Sequence, residues 1–146
     1  MQAIERYEGP VITSHSNPTA SWNDHRNLTD DQIAALAERE GVIGVVLYNR
    51  FLSNEWYHGA RKRDYPLDLV IHAIDHICQV TGSAAYVGIG SDIDGGFGVE
   101  EMPAGIDTVA DLQKIGDRLV RRGYSDADVE AVMSGNFLRV LRRSLP

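Results

Sequence analysis

Residues Val42–Tyr48 read VIGVVLY. Near-continuous apolar runs rich in β-branched side chains are typical of parallel strands covered on both faces. The run therefore predicts a buried strand in an α/β fold, and its neighbours must supply the covering layers. Upstream, Thr29 is a good N-cap and Gln32 completes a capping box. Ile33, Leu36 and Ala37 recur at helical spacing, so Thr29 to about Glu40 reads as an amphipathic helix stopped by Gly41. Before it, Pro10–Ser14 (PVITS) reads as another buried strand, joined to the helix by a polar loop, His15–Leu28.

Downstream, Asn49–Asp64 is long and polar and reads as a loop. Pro66 to about Val80 reads as a helix, with Leu67, Val70, Ile71, Ile74 and Ile77 on one stripe and Gly82 after it. Ala85–Gly90 (AYVGIG) is the third strand, followed by a glycine-rich loop, Ser91–Gly98. Thr108 to about Arg122 is helical and stops at Gly123. Ser125 caps a further helix, and Gly135 separates it from a last one, about Asn136–Arg143, with Phe137, Leu138 and Leu141 as packing residues.

Strands alternating with helices imply right-handed βαβ units around a parallel sheet. The long loops all follow strands, which is the active-site face of an α/β barrel. A full barrel takes about 250 residues, so three strands are less than half of one. The other reading is a small three-layer sandwich, which would leave two open edges and a thin core.

Composition narrows the function. The 146 residues are 43% hydrophobic and 24% charged, with a formal charge of -7. That disfavours nucleic acid and anionic membranes, which call for clustered cations. The local clusters Arg118, Arg121, Arg122 and Arg139, Arg142, Arg143 fit helix C-termini, where the dipole favours cations. No apolar run reaches the roughly 18 residues of a membrane span. Cys78 is the only cysteine, so neither an intrachain disulfide nor a cysteine zinc cluster can form, and a cytoplasmic location is the natural expectation. The first ten residues lack a signal peptide's apolar stretch and run almost at once into a strand, which suggests a truncated start.

His15, Asn49 and Asp92 each follow a strand, so parallel strands bring them to one end of the sheet. His15 is placed to bind a metal through neutral imidazole or to serve as a polar loop residue; spacing alone does not choose. Asp92 could orient a ligand, accept a proton or cap the next turn. Arg26, in the His15 loop, is suited either to a bidentate carboxylate contact or to solvent. His72 and His76 stand four apart on a helix, but Ala73 occupies the place of a metalloprotease's glutamate, which favours surface or packing histidines. A zinc hydrolase needs at least three protein ligands, and only His15 is well placed.

At these residues the chain resembles the membrane dipeptidase (renal dipeptidase, peptidase M19) family. The matching stretches are PVITSHSN at Pro10–Asn17, HRNLTDDQI at His25–Ile33 and GVIGVVLYNRFL at Gly41–Leu52. Others are IDHI at Ile74–Ile77, VGIGSDIDGG at Val87–Gly96 and GNFLRVLR at Gly135–Arg142. The resemblance implies a (β/α)8 TIM-type barrel of the metal-dependent hydrolase type, in which two zinc ions are bridged by a glutamate and a water. It implies dipeptide hydrolysis, with His15 as a zinc ligand, Arg26 on the substrate carboxylate and Asp92 in proton transfer. The family's His-x-Asp pair, bridging glutamate and second zinc histidine lie upstream of its SHS motif, and nothing here matches them. Met1 then falls where the helix before the sixth barrel strand should end. His25 stands where many relatives carry proline.

The expectation is one partial domain, residues 1–146, forming about three βα units of the C-terminal part of a dipeptidase barrel. Its function would be that of a zinc metallodipeptidase acting on dipeptides through metal-activated water. The alternative is an inactive fragment or half-barrel that self-associates, or needs a partner chain supplying the missing ligands.

Overall fold

The structure is a computed structural model that describes residues 4 and 6–145. The expectation about Met1 lies outside the described residues. Three parallel strands form one sheet in the order β1 (Ile12–Thr13), β2 (Val42–Val45), β3 (Val87–Ile89). Ile12 pairs with Val42, and Ile43 with Val87. β2 is the central strand and buried throughout, as its unbroken apolar run requires.

Between strands lie α1 (Asp30–Glu38), the one-turn helix α2 (Asn49–Leu52) and α3 (Asp68–Thr81). After β3 come α4 (Gln113–Arg122), α5 (Asp126–Glu130) and α6 (Asn136–Ser144). Both halves of the Thr29–Gln32 capping box form. The core joins Ile33 and Leu36 of α1 to Ile43 and Val45 of β2, Val70, Ile74 and Ile77 of α3, and Ile115 and Leu119 of α4. The expected α3 stripe is therefore buried, and its helix ends at Gly82 in the left-handed region, φ 71°. Arg122 of the last turn of α4 pairs with Asp75 at 2.7 Å, and Arg143 of the last turn of α6 pairs with Glu40, whereas Arg139 lies in the first turn of α6 and donates to the Glu40 and Ala85 carbonyls.

Five expectations need correction. Pro10–Ser14 is not a buried strand: only Ile12–Thr13 is extended ladder, and Ile12 is 43% exposed because β1 is a sheet edge. Gly41 does not turn the chain after α1, since Glu40 takes the left-handed conformation, φ 54°. Gly41 is required by crowding instead: a Cβ there would lie 2.2 Å from the Val11 carbonyl oxygen. The Asn49–Asp64 loop contains α2 and a 3-10 turn, Lys62–Asp64. Gly135 does not separate two helices. The chain runs from α5 through a π turn, Ala131–Gly135, into α6 with helical angles at Gly135, φ -58° and ψ -40°. Of the expected α6 packing residues, Leu138 and Leu141 are exposed, whereas Asn136 and Val140 are buried.

Candidate active site

Parallel pairing puts the C-terminal ends of the strands together, and glycine lets them converge. A Cβ on Gly44 would stand 2.1 Å from the Ser14 carbonyl oxygen, and one on Gly90 would stand 1.9 Å from it. Only residues without a side chain permit three backbones to approach so closely. His15 leaves this junction directly after Ser14, and Asp92 leaves it two residues after Gly90.

His15 is half-buried, and its Nδ1 lies 2.8 Å from Ser14 Oγ. Engagement of Nδ1 leaves Nε2 to face a ligand, the usual arrangement for a metal-binding imidazole. Arg26 folds back over the same loop. Its Nη2 donates to the His15 carbonyl at 2.8 Å, and its Nη1 to Ser16 Oγ at 3.2 Å. Ser16 Oγ in turn donates to the Arg26 carbonyl at 3.0 Å, which closes a ring of contacts. The Arg26 guanidinium lies over the Phe51 ring, 5.2 Å from its centroid.

Two asparagines hold this loop, and sequence reasoning assigned them no role. Asn17 is fully buried. It donates to the Val46 and Phe51 carbonyls at 3.1 and 3.2 Å and accepts from the Val46 N–H at 3.1 Å. Asn27 donates to the carbonyls of Pro18, Trp22 and Phe51 at 3.1–3.2 Å. Both therefore bind the His15–Leu28 loop to α2. The only signal for them was their place beside His15 and Arg26 in the matching stretches. Asn49, expected at this end of the sheet, donates to the Met102 carbonyl at 2.8 Å and is buried.

Asp92 adopts φ 55°, rare for a residue with a side chain. Its carbonyl accepts from the Gly95 N–H at 2.8 Å, and its carboxylate occupies the space a Cβ on Gly95 would need, 2.3 Å away. Asp92 thus belongs to the same end of the sheet, but no hydrogen bond joins it to His15 or Arg26 among the described residues. An aromatic wall stands beside them. Tyr48 stacks on Phe97 with centroids 4.4 Å apart and meets Phe51 edge-on at 4.8 Å, while Trp22 stacks on Phe51 at 5.3 Å. Burial pushes the Tyr48 hydroxyl pKa up, and the nearby Glu101 charge adds to that, so it stays protonated at neutral pH.

His72 is exposed, and His76 Nε2 lies 2.7 Å from Asp30 Oδ1, tying α3 to α1. Among the described residues no group of three or more His, Cys, Asp or Glu side chains could hold a metal. One imidazole fits a zinc ligand, but the set does not complete a zinc centre. No helix among the described residues is long and apolar enough to cross a membrane.

A family model described as membrane dipeptidase (peptidase family M19) matches residues 1–144. A solved metallo peptidase from Rhodobacter sphaeroides, liganded with a phosphinate mimic of the dipeptide L-Ala-D-Ala, is similar with a TM-score of 0.84 and 27% identity. That likeness covers 97% of this chain and 38% of the other. An uncharacterized dipeptidase of Schizosaccharomyces pombe is 30% identical over 95% of this chain and 32% of its own length. An uncharacterized protein in the pqqA 5' region of Klebsiella pneumoniae is 34% identical over 91% of this chain and 46% of its own length. The chain spans about a third to a half of the length of these relatives. Its α/β fold matches that of solved metallodipeptidases. Since the match runs unbroken through the His15 loop, the central strand and the Asp92 loop, the chain belongs to the membrane dipeptidase family, peptidase family M19.

Proposed function

We propose that this chain supplies one side of the active site of a zinc metallodipeptidase and that its three βα units are the C-terminal part of a (β/α)8 barrel. The observation that carries the reading is the His15–Arg26 loop. It presents an imidazole whose Nδ1 is engaged by Ser14 and, held against that residue's own carbonyl, a guanidinium. A guanidinium has five N–H donors, and Arg26 uses two within the loop. The remaining donors suit the C-terminal carboxylate of a dipeptide, and the Phe51 ring keeps the guanidinium plane fixed.

His15 would hold one zinc ion through Nε2. Bound zinc would activate water and polarise the scissile carbonyl. Asp92, held in the loop after β3, would carry a proton to the departing amine. The Tyr48, Phe51, Trp22 and Phe97 rings would exclude water on one side.

The test joins this chain to the portion of the Rhodobacter sphaeroides relative that it does not match. Zinc-dependent hydrolysis of L-Ala-D-Ala is the expected result. Arg26→Ala should raise KM far more than it lowers kcat, and Asp92→Asn should lower kcat by about 100-fold or more, the usual scale of a lost proton-transfer group. Full activity in Asp92→Asn would remove that residue from the reaction.

A second reading applies to the chain by itself: it is inactive and needs a partner that brings the other zinc ligands. The lack of a three-ligand group among the described residues favours it. Turnover together with equimolar zinc in the isolated chain would rule it out.

A further inference from the structure

Five aromatic rings meet at the end of the sheet that carries His15, Arg26 and Asp92. They come from three segments: Trp22 from the His15 loop, Tyr48, Phe51 and Trp56 from the stretch around α2, and Phe97 from the loop after β3. All five are partly exposed, so ring surface remains for a ligand to cover. Their order gives the wall a direction. Phe51 lies under the Arg26 guanidinium, 5.2 Å from it. Tyr48 meets Phe51 edge-on at 4.8 Å, and Phe97 stacks on Tyr48 at 4.4 Å with the planes 7° apart. Phe97 belongs to the same loop as Asp92. The rings therefore run from the guanidinium to the Asp92 loop.

We infer that Phe97, with Tyr48 and Phe51, forms a subsite for an apolar, preferably aromatic, side chain on the C-terminal residue of the dipeptide. Phe97 is its specificity-determining residue. The inference rests on the roles proposed for Arg26 and Asp92 and deepens them. Arg26 on the C-terminal carboxylate and Asp92 at the departing amine fix both ends of one residue, because that carboxylate and that amine belong to the same amino acid. Its side chain springs from the carbon between them, alongside the rings that join the two groups. Charge does not select against this occupant. Glu101 and Arg50 both stand near the Tyr48 hydroxyl, and their charges oppose each other. A neutral ring face favours apolar area, and it favours a second ring further through stacked or edge-on contact.

The chain's two tryptophans, Trp22 and Trp56, touch Phe51 and Tyr48, so intrinsic fluorescence of the intact chain reports on the wall. The experiment titrates the chain with Ala-Phe, Ala-Ala and Ala-Glu, each with both configurations of the second residue. N-acetylphenylalanine amide, which has no carboxylate, is the fourth probe. Ala-Phe should bind about tenfold tighter than Ala-Ala and Ala-Glu, or more, the scale expected for covering a benzyl group instead of a methyl. Phe97→Ala should remove most of that preference. Phe97→Leu, which keeps an apolar side chain in place, should reduce it severalfold with the affinity for Ala-Ala and the circular dichroism unchanged. Arg26→Ala should weaken the three dipeptides alike and leave the amide probe unaffected. Equal affinities for the three dipeptides, a preference that survives both Phe97 changes, or no fluorescence response to any probe would each overturn the inference. Dipeptides weakened by Arg26→Ala without any preference for Ala-Phe would sink the subsite and leave the carboxylate contact standing. A preference for Ala-Phe that ignores Arg26→Ala would sink the carboxylate contact and leave the ring subsite standing.

Discussion

The two hydrogens of the Asn27 amide nitrogen are shared among three carbonyls at 3.1–3.2 Å, all of the loop that it closes or of α2. Net hydrogen-bond contributions are about 1 kcal/mol each, and orphaned buried carbonyls cost more. Asn27→Ala should therefore destabilise the fold by about 2 kcal/mol, read as a lower urea midpoint with an unchanged slope. Asp111 offers a residue-scale test by pH. The Lys114 ammonium, then the Asp107 and Thr108 backbone N–H groups, hold its carboxyl well below the usual carboxylate range. Its stabilising effect is complete above the ordinary carboxylate pKa and is lost as pH falls through the lower folded value. Asp111→Asn should thus lose stability at pH 7 and converge on the parent protein at strongly acidic pH. A constant difference across that range would show that the charge is not the cause. Of the three candidate site residues, His15 and Asp92 were legible as positions after strands, and Arg26 as a residue of the His15 loop suited to a carboxylate or to solvent, a choice that only the family resemblance narrowed. Asn17 and Asn27 were not legible. A buried asparagine in a loop has no periodicity to betray it, and its partners are backbone carbonyls far along the chain.

At the scale of elements, apolar periodicity did most of the work. It located β2, α1 and α3 because burial on two faces or on one stripe leaves a pattern in the sequence. Glycine was the weak guide. At Gly82 and Gly123 it ends a helix with positive φ, but at Gly41, Gly44 and Gly90 it answers to a close backbone in another segment. Gly135 is neither. It has helical angles, and a Cβ there would find its nearest neighbour at an ordinary 3.4 Å. Gly135→Ala should consequently stabilise the protein by about 0.5–1 kcal/mol, measured by thermal or urea unfolding. Gly90→Ala should do the opposite. Its Cβ would collide with the Ser14 carbonyl oxygen, pushing apart the strand ends that carry His15 and Asp92. A loss of about 3 kcal/mol is expected, at the upper end for overpacking.

The described residues form a three-stranded parallel sheet whose central strand is sealed and whose β1 strand lies at an edge. Strand counting against barrel size raises the partial-barrel reading, which stays a proposal; the α/β fold itself matches that of solved metallodipeptidases. The sequence could not show that the β1 edge would expose Ile12, because PVITS looks equally apolar in a central strand or an edge strand. The central claim is that His15, Arg26 and Asp92 sit on a scaffold that cannot hold zinc without further ligands. It is tested most directly by the zinc content of the isolated chain after dialysis in trace-metal-free buffer. The account predicts far less than one zinc per chain, and one or more tightly bound zinc ions per chain would contradict it.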